Sequence, residues 1–300
     1  MMITKPSNKF PCVYDTSSLL RSRSLQLNSR VTTQLLLTLF DVKGIVHLGI
    51  AGNADPNRQI GDVAVPRYWA HTGLWNWQRY GDGPDNELAL ESSGDYTRKL
   101  GSLNFTDFIV GTDGRPTPAA AGNLLNAVWY QPEEVFPATE SGGAPEARAH
   151  AFWAPIDARY YELSRELEEG RLRLERCAGN GTTTCLPRRP VVARVERGCS
   201  TSVFVDNAAY REFLRSKFGV TAVDMETAAV ALVALQQGAP FIAVRALSDL
   251  AGGGAAESNE AGAFRAAGGA ERGGGGRRAH FPNSLINYYQ KIIVYFGRIY

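Results

Sequence analysis

The sequence predicts an α/β domain, and three stretches predict it. Thr221–Gly253 reads as a helix followed by a strand, while Ile45–Ile50 (IVHLGI) and Ile60–Pro66 (IGDVAVP) read as two further strands. Within the first stretch, Met225, Ala228, Ala229, Leu232, Val233 and Leu235 recur at helical spacing. Gly238 stops that helix and Pro240 blocks its continuation. Phe241–Leu247 is short and mostly apolar, as expected of a strand covered on both faces. A chain of 300 residues, 44% hydrophobic and 21% charged, suits one sizeable domain.

Three carboxylates stand at the ends of these elements. Asp224 and Glu226 sit at the start of the helix, and Asp249 follows the strand in Ser248-Asp249. Ligands of open α/β sheets bind beyond the carboxyl ends of strands, which is where a working acid belongs. Capping accounts for the same residues: Asp224 as an N-cap, Glu226 complementing the helix dipole, Asp249 as a loop or cap residue. Spacing alone leaves both readings open.

The wording of the stretch goes further. DMETAAVA followed by PFIAVRALSDLAG closely resembles the signature of the purine nucleoside phosphorylase and methylthioadenosine nucleosidase superfamily. A second region, GIAGN then GDVAVP, resembles it too, in the same order along the chain. The segment HTGLWNWQRYGDGPDNELALES resembles the family's plant bark-storage branch. The resemblance spans 24–261 and implies a single domain with a mixed central β-sheet flanked by helices. It leaves 1–23 unmatched, so the family's N-terminal strands are expected to be missing. It also leaves 262–300 as a Gly/Arg-rich tail of altered character, read from its composition as a flexible linker.

In chain order, Val31–Phe40 reads as a helix, ended by Gly44, and Ile45–Ile50 as a buried strand. Ala51–Pro56 reads as a tight polar turn; in the resembled family such a turn lets backbone N–H groups approach the sugar, which Gly52 permits by lacking a side chain. Residues 67–153 are aromatic-rich, including Trp69, Trp75, Trp77, Trp129, Tyr130 and Phe152, and these read as core and subunit-interface packing. Residues 156–176 alternate charges and read as a solvated helix. Val191–Val195 reads as a strand, and Asn207–Phe218 as a helix with Tyr210, Phe213, Leu214 and Phe218 on one face. Cys177 and Cys185 flank a Gly/Asn/Thr loop, and either a small disulfide ring or two free thiols fits that spacing.

The resemblance implies cleavage of the N-glycosidic bond of a purine-type nucleoside, or, as in the storage branch, the same fold without catalysis. It assigns Asp249 as the acid protonating the leaving base, with Ser248 beside it, and Glu226 as the carboxylate on the ribose. Asp224, Met225, Ala51 and Gly52 fall in sugar-binding segments. Phe204 falls where an aromatic stacks on the purine, and Val205 where backbone bonds the base edge. No metal or cofactor is implied, and phosphate stands beside water as the alternative co-substrate. Related phosphorylases carry a phosphate-binding serine where Ile50 stands and an arginine where His47 stands; a protonated His47 is the remaining candidate for phosphate. Relatives of this kind are usually oligomers, and the Trp-rich stretch 69–80 is a candidate interface. A net charge of +2 does not call for a nucleic-acid partner, and no apolar run reaches the length of a membrane span. The plant relatives are commonly exported, whereas Met1–Leu20 does not read as an export signal.

Overall fold

The computed structural model describes residues 2–3, 12–13, 25–78, 100–102, 127–135, 149–171, 174, 176 and 186–252. Trp77, Trp129 and Phe136 as side chains, Cys177 and Cys185, and the 262–300 tail lie outside the described residues.

Five strands form the frame: β3 (Ile45–Asn53), β4 (Val63–His71), β11 (Val192–Ser200), β12 (Val220–Asp224) and β13 (Phe241–Leu250). β4, β11 and β12 run parallel to one another, and β3 runs parallel to β13. Antiparallel pairings of β12 with β3 and of β13 with β4 complete a closed circuit. The sheet is therefore mixed, as expected, and it closes on itself. Closure removes the open edges that such apolar strands would otherwise present. A short strand, β10 (Ala154–Pro155), adds to β4. The N-terminal segment, where the sequence shows no strand, contributes β1 (Met2–Ile3) against β3 and β2 (Cys12–Val13) against β1. A separate three-stranded sheet is built from β5 (Trp75–Gln78), β6 (Leu100–Ser102) and β7 (Ala127–Tyr130). β8 (Glu133–Val135) pairs with β9 (Ala149–Ala151).

The helices are α1 (Leu25–Leu39), α2 (Ala158–Leu163), α3 (Ala208–Phe218) and α4 (Thr227–Gln236). α4 is buried along nearly its whole length, from Thr227 to Ala234, which its run of Ala and Val permits. α1 begins six residues before the expected Val31, because the small polar side chains of Ser29 and Thr33 face inward. Its outward face carries Leu27, Val31, Leu35 and Leu39, at steps of four. α3 follows the sequence reading closely: the Asn207 side chain accepts from the Tyr210 N–H at 2.8 Å, and Gly219 ends the helix in the left-handed region.

Two elements differ from expectation. Residues 156–176 do not form one solvated helix: α2 is followed by a π-turn at Leu167–Arg171. Tyr160 and Leu167 are drawn into the core, while Glu162 and Glu168 accept from Arg194 of β11. Among the described aromatics of 67–153, Trp69, Tyr130 and Phe152 are buried in the core, and Trp75 and Trp153 are half-buried. Tyr130, Phe152 and Phe218 stack in a second cluster behind α3.

Candidate active site

A cleft of about 210 Å³ opens where four strands end together: 50–52 in β3, 201–205 after β11, 223–226 across the end of β12 and 248–251 across the end of β13. The carboxyl ends of parallel strands converge here, as the sheet rule anticipates. Ala51, Gly52, Phe204, Val205, Asp224, Met225, Glu226, Ser248 and Asp249 all line it. Those are nine of the ten residues picked out from sequence. The tenth, His47, is not among the lining residues.

Each lining group is placed by a local device. In the β3–β13 ladder Leu247 pairs with Ala51 and Asp249 with Gly52, so Ser248 is an extra, bulged residue. A bulge re-aims side chains, and here both Ser248 and Asp249 face the cleft. Gly52 permits β3 and β13 to approach: a Cβ there would lie 2.9 Å from that of Ala251. The expected turn at Ala51 begins later than predicted, since β3 continues through Asn53. The Asn53 side chain then fastens the turn, donating to the carbonyls of Asp55 and Arg58 at 3.0 Å each. Phe204 stands at the mouth, 65% exposed, with Ile50 and Val203 beside it. Phe204 is thus no ordinary core residue.

The three carboxylates have separate surroundings. Asp249 is buried, and the Ser248 hydroxyl donates to it at 2.5 Å. Burial raises the Asp249 pKa, Ser248 works against that, and Asp206 adds to it. Glu226 takes the N-cap position of α4 but makes no capping bond with its side chain. Its carboxyl is pushed up to about 7 by burial and by Asp224, against the opposing pull of Arg245 and the Met225 N–H. Asp224, by contrast, does cap. Its Oδ1 accepts from the Glu226 and Thr227 N–H groups, both at 3.2 Å, and from the Ser200 hydroxyl. Its Oδ2 accepts from Arg245 Nε at 2.7 Å and from the Thr227 hydroxyl.

His47 is fully buried, and burial followed by the Arg245 charge drives its pKa well below the ordinary range. A neutral imidazole held by an arginine is not the cationic phosphate ligand that the sequence suggested. Arg245, Thr227 and Ser200 are the residues that sequence reading passed over. An arginine inside an otherwise apolar buried strand was the available signal, because such a charge must find a partner.

A family model described as the phosphorylase superfamily matches residues 26–272. The chain belongs to the phosphorylase superfamily. Among curated relatives of this superfamily chain, bark storage protein A of Populus deltoides is 29% identical over 233 residues, covering 77% of this chain and 64% of that protein. The chain therefore spans less than two thirds of that relative's length. A 5'-methylthioadenosine/S-adenosylhomocysteine nucleosidase of Geobacillus sp. (strain WCH70) is 50% identical over 50 residues, 16% of this chain and 22% of that protein. A solved 5'-methylthioadenosine/S-adenosylhomocysteine nucleosidase of Helicobacter pylori superposes with a TM-score of 0.46 at 18% identity, covering 80% of this chain and 68% of that one.

Proposed function

We propose that this chain cleaves the N-glycosidic bond of a purine-type nucleoside, with water as the nucleophile. The observation that carries the reading is the gathering of Asp249 and Glu226 around one cleft, in environments that favour their protonated forms to different degrees. Breaking the bond leaves negative charge on the base and positive charge on the sugar. Asp249, whose pKa burial raises, delivers a proton to the leaving base. Glu226 accepts from the ribose hydroxyls; once it is ionised, its charge faces the cationic sugar, to whose carbon water bonds while releasing one proton to solvent. Hydroxyl donors at Glu226 favour its charged form, so substrate binding itself pulls its pKa down from about 7. Phe204 at the mouth offers a face for the purine.

Water is favoured over phosphate by the lining. Among the described residues that line the cleft, three are acidic and none is cationic. Ile50 contributes no hydrogen-bond donor, and His47 lies elsewhere. A phosphate dianion would find no cationic partner among the described lining residues. The test is release of free base from adenosine and inosine, with and without phosphate, followed by chromatography. Equal release in both conditions supports hydrolysis; strict dependence on phosphate refutes it.

A second reading has one specific observation in its favour. Two relatives matched over most of this chain are bark storage proteins. Under that reading the fold and cleft are kept without turnover, and folded protein releases no base under either condition.

A further inference from the structure

Arg245 is 1% exposed, and every N–H of its guanidinium is engaged. Nε donates to Asp224, and Nη1 donates to the carbonyls of His47 and Val244 at 3.3 and 3.4 Å. Nη2 donates to the Thr227 hydroxyl and lies against the His47 ring, 2.9 Å from Nδ1 and 3.2 Å from Nε2. No donor remains for a ligand. Arg245 can therefore influence the cleft only through what it holds.

What it holds is Asp224, whose oxygens are also fully used. Asp224 fixes the N–H of Glu226 and both the N–H and the hydroxyl of Thr227. Gly49 leaves room for the guanidinium, since a Cβ there would sit 2.7 Å from Nη1. His47 and Gly49 are two apart on β3 and share a face, so this strand supplies both the acceptor and the space. A ring nitrogen of His47 can accept only while the ring is neutral, and burial beside an arginine favours that form.

We propose that His47 and Arg245 are positioning residues for Glu226: His47 orients the Arg245 guanidinium, Arg245 fixes Asp224, and Asp224 fixes the first turn of α4 on which Glu226 stands. Neither touches substrate. The consequence for turnover rests on the reading given above, but the coupling to Glu226 does not. The charged groups facing Glu226 are Asp224 from β12 and Arg245 from β13; Asp249 of β13 lines the same cleft, and the Met225 N–H points at the carboxyl.

The experiment follows the Glu226 carboxyl by carbon NMR across pH, assigned with Glu226→Gln, in the parent protein, His47→Leu and His47→Gln. Leucine removes the ring nitrogens beside Nη2 while the Thr227 hydroxyl and the backbone carbonyls of His47 and Val244 remain, so the guanidinium shifts on Asp224 and its charge moves away from Glu226. The Glu226 midpoint then rises by roughly one pH unit, the effect of a neighbouring charge. Glutamine restores an acceptor and returns the midpoint toward the parent value. An unchanged midpoint in folded His47→Leu overturns the proposal. Should His47→Leu not fold, Arg245→Gln serves instead: it removes the charge that Asp224 holds beside Glu226, so the same rise is expected and its absence is equally fatal. If the parent releases base, the pH profile of kcat moves with the NMR midpoint. A parent that releases none refutes the functional reading, while the titration still decides the positioning.

Discussion

Replacing Glu226 with glutamine should stabilise the fold, and more so as pH rises. Glu226 is held at about 7 against an ordinary 4.5, because burial and Asp224 both resist its ionisation. The folded state therefore binds its proton more tightly than the unfolded state. Stability from this group is present below pH 4.5 and is lost as pH rises through about 7. Integrated between the two values, the loss is about 1 kcal/mol by pH 5 and about 3 kcal/mol by pH 8. Glutamine never ionises and escapes it. The stability difference between Glu226→Gln and the parent should grow by about 2 kcal/mol between pH 5 and pH 8. Urea unfolding of both proteins at both pH values measures that double difference, and constant losses such as an altered hydrogen bond cancel within it. A difference independent of pH would refute the account of the cleft's electrostatics, because a carboxyl left at its ordinary pKa produces none.

Two further outcomes follow from geometry. Gly252→Ala should destabilise by at least about 2 kcal/mol in urea or thermal unfolding, since it combines strain with a clash. Gly252 has φ of +78°, and a Cβ there would lie 2.3 Å from the backbone carbon of Asn207, the residue that caps α3. Phe204→Ala should leave stability within about 0.5 kcal/mol, as exposed sites do, yet raise KM about tenfold if the ring stacks on the base. An unchanged KM would remove Phe204 from the site.

Much of this was legible in the sequence, for physical reasons that differ from place to place. β13 was visible because Phe241–Leu247 is buried on both faces and so reads as a continuous apolar run. The cleft was visible because its residues cluster in short segments at strand ends, with glycine where backbones must meet. β12 was not visible. Its five residues are all buried, so it shows no alternation, and it passes into α4 with no glycine or proline between. TAVDM therefore reads as the start of a helix, and Asp224 as a residue of its first turn. Asp224 does cap α4, but it also ends a strand and binds Arg245, which sequence spacing cannot show. The start of α1 is not legible because its first turns face Ser29 and Thr33 inward and Leu27 and Val31 outward, whereas Leu36 and Leu37 pack on the core further along. His47 was read as a possible anion ligand because its neighbour in space, Arg245, is 198 positions away in the chain.

The claim on which the account rests is that Asp249 is the acid for a glycosidic cleavage in this cleft. Base release from adenosine and inosine should therefore be compared between the parent and Asp249→Asn, with matched folding checked by circular dichroism. Asparagine fits the bulge at Ser248 but has no proton of comparable acidity to give. The account predicts phosphate-independent release by the parent and a loss of about a hundredfold or more in the variant, the usual scale for removing a general acid. A variant as active as its parent, or a well-folded parent that releases no base, would contradict it.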